Sequence, residues 1–166
     1  MVVFQLSRLT GIPRFHEREY LPVIESIAGR LVDSLGPMTF RHLSTKIARA
    51  HGFQRTGSQI KKQVWAAISK KRRSTRSPDG EMIFWPENTE TSEVVPFRGM
   101  KVNGEDRTWQ DVPYPEKLGL AVSVLKEERE DPISTIASHI GLGRLRQAAK
   151  MEFEKLLEEA KRYGHP

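Results

Sequence analysis

Apolar residues recur at helical spacing in several stretches of this 166-residue chain. Across 21–35, Leu21, Ile24, Ile27, Leu31 and Leu35 fall three or four apart, the repeat of an amphipathic helix. Gly36-Pro37 stops it. Thr39 is a good N-cap by type, and Phe40, Leu43, Ile47 and Ala50 form one stripe of a second helix over 40–51. Gly52 sits just past its end, where a left-handed residue closes a helix. Thr56 or Ser58 opens a third helix over 58–71, in which Ile60, Val64 and Ile68 repeat at i, i+4 and i+8. "SPDG" (77–80) is then a turn signal between "RRSTR" and "EMIFW", which predicts a β-hairpin. Three helices followed by a hairpin is the order of a winged helix, in which the third helix enters the major groove and the hairpin lies on the backbone.

Residues 86–114 change character. They hold Pro86, Pro96, Pro113 and the cluster "ENTETSE", and read as a linker or extended arm in which "VVPFRG" (94–99) offers an edge strand. Leu118, Ala121, Val122 and Leu125 predict a helix over 115–130, with a short helix over 132–140 and a longer one over 144–163. The expected organisation is an N-terminal arm (1–20), a winged-helix domain (21–86), a linker (87–114) and a second helical unit (115–166).

The second unit echoes the first. "IARAHGFQR" (47–55) meets "IASHIGLGR" (136–144) at a shift of 89 residues. Without a gap, Ile60, Val64 and Ile68 meet Ala149, Phe153 and Leu157, so the apolar stripe stays in phase. This predicts a duplicated helix–turn–helix unit. The copies differ in their surfaces: 144–163 carries Glu152, Glu154, Glu158 and Glu159 among six basic residues, and the three residues after it leave no length for a second wing. The fold class expected is mainly α (α+β), a winged helix followed by a wingless helical unit of structural or docking type.

Charge sharpens the picture. The net charge is +6, and it is not spread evenly. Residues 1–33 hold four basic and four acidic residues. Between Asp33 and Asp79 there is no acid, yet eleven Lys and Arg fall there: Arg41, Lys46, Arg49, Arg55, Lys61, Lys62, Lys70, Lys71, Arg72, Arg73 and Arg76. Residues 79–166 hold 17 acidic and 12 basic residues. An acid-free basic segment of 45 residues is an electrostatic footprint for a polyanion, set against the blander reading of a solvated basic face.

With Ile60, Val64 and Ile68 inward, the opposite face of the third helix presents Gln59, Lys62, Ala66 and Ser69, with Ser58 and Gln63 at its margins and Lys61 on the flank. Gln and Ser reach base edges or phosphates, Lys reaches guanine or phosphate, and Ala66 permits close approach. Arg55 precedes the helix, placed to grip a phosphate or to brace the corner. Lys70, Lys71, Arg72, Arg73 and Arg76 approach or line the hairpin and are candidate phosphate contacts. Trp65 falls at the core boundary as a packing residue.

Other chemistries find little footing. Cysteine is absent, which removes disulfides and Cys-based zinc sites and fits a reducing, cytoplasmic setting. The five histidines show no ligand spacing such as HExxH, and neither a phosphate-binding GxxxxGK[ST] loop nor GxSxG occurs. Glu105, Asp106 and Asp111 lack a paired nuclease-like lysine. No apolar run approaches a membrane span, and no signal segment opens the sequence. Hence no cofactor, metal or catalytic residue is expected.

Residues 36–68, "FWP" (84–86), "VPFRG" (95–99) and "IASHIGLGR" together resemble a bacterial domain of unknown function. That domain usually stands at the C-terminus of very large superfamily 1 helicase proteins, often behind a restriction-endonuclease-like domain. Gly36, Pro37, Gly52, Arg55, Gly57, Phe84, Trp85 and Pro86 carry the resemblance, which spans about 36–163. It implies an accessory winged-helix-like module whose helicase and nuclease partners lie in cis or in trans, and it carries over no catalytic residues. The chain departs from that context in holding the terminal module alone. Two readings follow: a non-catalytic module for DNA, duplex first, and a protein-interaction or dimerisation module that binds no nucleic acid.

Overall fold

The computed structural model describes residues 14–164. The chain divides into two compact units, Met1–Thr91 and Ser92–Pro166, each joining helices to short antiparallel strands in an α+β fold. Among the described residues there are six α-helices, and none is long and apolar enough to cross a membrane.

In the first unit the order is α1 (Leu21–Leu35), β1 (Met38–Thr39), α2 (Phe40–Ala50), α3 (Ser58–Ile68), β2 (Ser74–Arg76) and β3 (Met82–Phe84). The three strands form one antiparallel sheet in the order β1-β3-β2, with Met38 and Ser74 both opposite Phe84. The expected hairpin is there, and its turn runs through Ser77–Gly80, where the Gly80 amide donates to the Ser77 carbonyl at 2.9 Å. Thr39 caps α2 by accepting from the His42 amide at 3.1 Å. Neither Thr56 nor Ser58 caps α3: its N-cap is Gly57, and no side chain takes that role. The helix also stops at Ile68 rather than 71, because the chain turns there to send Arg72 back towards α1.

Burial follows the apolar stripes. Ile24, Ile27 and Leu31 of α1 meet Leu43 and Ile47 of α2 and Ile60, Val64 and Ile68 of α3, closed on the sheet side by Ile83, Phe84 and Trp85. Of the expected arm 1–20, residues 1–13 lie outside the described residues, and 14–20 are mostly exposed but send Phe15 into this core. Phe15 is fully buried, edge-on to His51 at 4.9 Å and to Phe53 at 5.2 Å.

In the second unit, β4 (Lys101–Val102) and β5 (Glu105–Asp106) pair through a two-residue turn at Asn103-Gly104, and α4 (Tyr114–Lys126), α5 (Pro132–His139) and α6 (Gln147–Ala160) follow. The expected linker 87–114 is therefore structured over much of its length. Residues 94–99 form no strand. They cross α4 instead, where the Val95 amide donates to the Pro115 carbonyl at 3.1 Å and Val94 and Phe97 pack on the helical core. The crossing depends on Gly119, because a Cβ there would collide with the Val95 carbonyl. It is locked by Glu116, a fully buried carboxylate. One oxygen takes the Arg98 guanidinium; the other takes Arg107 Nη1 at 2.6 Å, and Arg107 also donates to the Gly99 carbonyl.

The two corners repeat in the backbone. Gly52 (φ 81°) and Gly141 (φ 68°) take the left-handed conformation that costs glycine little. The Phe53 amide donates to the Ala48 carbonyl at 2.9 Å, and Leu142 to Ala137 at 2.8 Å; the Gly52 amide donates to Arg49 at 3.0 Å, and Gly141 to Ser138 at 3.1 Å. Every one of these residues is offset by 89. α1 packs along α3 and α2 as α4 packs along α6 and α5. Val64 and its counterpart Phe153 are both fully buried.

Replacing Gly119 with Ala tests the strap over α4. Alanine is the better helix former by about 1 kcal/mol, so a helix without the crossing would gain. We expect instead a loss of about 2 kcal/mol or more in urea unfolding, as overpacking against backbone dictates.

Candidate nucleic-acid interface

The core fixes which side of α3 is free. Ile60, Val64, Ala67 and Ile68 are buried, so Ser58, Gln59, Lys61, Lys62 and Ala66 face solvent. Arg55 is exposed in the corner ahead of the helix, and Lys70 and Lys71 are exposed in the turn after it. The side chains of Arg55, Lys61, Lys62, Lys70 and Lys71 make no ion pair or hydrogen bond among the described residues. Trp65 is 39% exposed and packs edge-on against Phe40 at 5.3 Å and Phe84 at 6.0 Å, a boundary residue held by its neighbours.

Four of the expected contacts are committed elsewhere. Gln63 donates to the carbonyls of Phe15 and Glu17, both at 3.1 Å, and so ties the segment before α1 to α3. Arg72 clasps Asp33 with both terminal nitrogens, at 2.6 and 2.7 Å. Arg73 Nη2 donates to the carbonyls of Glu87 (3.1 Å) and Thr89 (2.6 Å), holding the chain after β3. Arg76 donates to the Gly80 carbonyl across the hairpin at 3.3 Å. Gln63 and Arg72 thus serve the fold, while Arg73 and Arg76 keep their charge on an exposed surface.

Asp33 carries no local signal of this role. It lies 39 residues before Arg72 and joins three segments, since the Glu87 amide also donates to it at 3.1 Å. The Arg72 hydrogen bonds, seconded by the Glu87 amide, hold its carboxyl below the usual carboxylate range. His51 is buried too. Its Nδ1 lies 2.7 Å from the Ile47 carbonyl, which only accepts, so Nδ1 carries the proton; Nε2 accepts from the Tyr20 hydroxyl at 2.9 Å. Burial raises the pKa of that hydroxyl and keeps it a donor. His51 is a packing residue of the corner.

The charge remains lopsided. The first unit holds fifteen Lys and Arg against eight Asp and Glu; the second holds twelve against thirteen. Five exposed cations whose side chains have no partner among the described residues, Arg55, Lys61, Lys62, Lys70 and Lys71, stand around α3 in sequence. Clustered cations raise the local positive potential, and contacts of that kind with a polyanion weaken as salt rises.

The first unit is thus a small α+β domain with one exposed, cationic helix face. A family model described as a protein of unknown function (DUF3320) matches residues 13–62, from just before α1 to the first turn of α3. This part of the chain is similar to a domain of unknown function that contains the corner, Arg55 and the start of the exposed face. No curated protein and no solved structure matches the chain.

The Asp33–Arg72 pair gives a test of structural commitment. A double-mutant cycle with Asp33→Ala and Arg72→Ala should return a coupling near 1 kcal/mol, the upper end for partly exposed pairs. Because the folded pKa of Asp33 lies below its unfolded value, the pair stabilises fully above the unfolded pKa and loses this contribution as pH falls through the folded one. The stability gap between the parent and Asp33→Asn should therefore narrow as unfolding is measured below about pH 4.

Proposed function

We propose that the first unit is a non-catalytic, winged-helix nucleic-acid-binding module. α3 enters the major groove of duplex DNA, and the β2–β3 hairpin serves as the wing. The observation that carries this reading is the set of unpartnered cations, Arg55, Lys61, Lys62, Lys70 and Lys71, grouped at the two ends and on the outer face of one helix. The helix order, with β1 completing the sheet beside the hairpin, supports it. Ser58, Gln59 and Lys62 are the candidates for base edges, while Arg55, Lys61, Lys70 and Lys71 address phosphates. Arg73 and Arg76 add field from the hairpin. The resemblance of 36–163 to a helicase-associated bacterial domain supports an accessory role beside a DNA helicase or nuclease in the cytoplasm.

Fluorescence anisotropy with a labelled duplex tests the proposal. Four phosphate contacts give a log–log salt slope of roughly −3 to −4. Joint replacement of Lys62, Lys70 and Lys71 by Glu should weaken binding about a hundredfold or more at low salt, with the circular dichroism spectrum unchanged. Arg72 is left out of the set, because its loss would act through the fold. Equal binding by parent and variant would sink the reading, and an unlabelled single-stranded competitor reports which form of DNA is preferred.

A further inference from the structure

The second unit keeps the backbone frame of the first and decorates its outer face differently. At the shift of 89 residues, Gln59, Lys62 and Thr56 become Ala148, Met151 and Leu145. Leu142, Leu145 and Met151 are 39%, 36% and 50% exposed, half of the six large apolar residues found exposed among the described residues. They fall within ten residues of one another, at the corner and on the first two turns of α6. The position of Leu142 is informative. Its counterpart Phe53 is covered by the ring of Phe15 at 5.2 Å, whereas nothing described covers Leu142 to the same extent.

The charges beside this patch point to its occupant. Arg144 and Arg146 flank Leu145 in sequence, and Lys155 lies one turn beyond Met151. All three are exposed, and their side chains have no partner among the described residues. Among the acids of α6, Glu152 is held by Lys117 at 2.8 Å and by the Trp109 indole at 3.1 Å, Glu158 by Lys161 at 2.6 Å and Glu159 by Arg162 at 3.2 Å, which leaves Glu154 towards the C-terminal side. We propose that this face docks an amphipathic helical segment of another protein, with large apolar anchors and acidic residues at the end that meets Arg144 and Arg146. Apolar anchors remove Leu142, Leu145 and Met151 from water, and carboxylates match the guanidinium groups in bidentate geometry. Nucleic acid fits poorly, because it would leave three large side chains against phosphate and sugar. A second copy of the chain fits poorly as well, because an isologous contact offers Arg144 and Arg146 only this same face, where Glu154 alone among the acids of α6 is not already held.

A displayed library of helical peptides, selected on the full chain and counter-selected on Met151→Glu, tests the proposal. Half-exposed Met151 tolerates the change without a cost to the fold, which circular dichroism verifies. Enriched peptides should carry two or more large apolar residues at i, i+3 or i+4 spacing with Asp or Glu at one end. A synthetic peptide of that kind should bind about tenfold or more weakly to Met151→Glu and to the Arg144→Glu, Arg146→Glu pair. Enrichment without acids, or no enrichment over the Met151→Glu control, overturns the proposal. So does light scattering that shows a dimer dissolved by Met151→Glu, or loss of duplex binding in that variant.

Discussion

Both units depend on how a helix ends. At Gly52 and again at Gly141 the chain takes a left-handed residue, and the next amide reaches back to a carbonyl five residues earlier. This closes two carbonyls that the helix leaves open and fixes the direction in which the chain departs. The following helix then lies where its stripe can meet the preceding ones. A side chain at the glycine would be strained, and a different closure would rotate α3 or α6 about its contact. Val64 and Phe153 would leave the core together with the helix that carries them. The outer face of each helix is thus set by a backbone constraint several residues away.

That constraint explains why the two corners agree inside and disagree outside. Buried positions are bound by close packing, where a change of one methylene is felt. Ile47 and Ile136, Ala48 and Ala137, and Val64 and Phe153 accordingly remain apolar. Outward positions pay little for a change of chemistry, since water solvates whatever stands there. Lys62 and Met151 occupy equivalent places on equivalent helices and present opposite surfaces. One frame displays charge to a polyanion in our reading, and the other displays apolar area to a protein.

The legible part of the sequence was local. Stripes at i, i+4 and i+8 predicted the buried residues of α3, Thr39 foretold the cap of α2, and "SPDG" foretold a turn. The echo survived because its glycine and its stripe both obey short-range rules. Asn103-Gly104 was equally legible as a two-residue hairpin signal, though proline content drew the segment into a linker reading. The rest rests on partners distant in sequence. Nothing near Arg72 announces Asp33, and nothing near Gln63 announces the carbonyls of Phe15 and Glu17. Nothing beside Glu116 announces Arg98 and Arg107, 18 and 9 residues earlier, which close over it.

Those distant partners change what a charge count means. Eleven cations in an acid-free segment imply a surface of uniform availability, yet cations serve in different ways once folded. Arg72 faces a carboxylate at 2.6 Å, so the pair is a dipole whose field dies away quickly. Arg73 and Arg76 donate to carbonyls, which are neutral, so both still draw an approaching polyanion even though the bonded nitrogens are occupied. Arg55, Lys61, Lys62, Lys70 and Lys71 contribute field and contact alike. Long-range attraction therefore comes from a wider set of residues than close contact does. On the proposed reading, substitutions at Arg73 or Arg76 act by the first kind of effect, felt as a change in association rate at low salt, and substitutions in α3 act by the second.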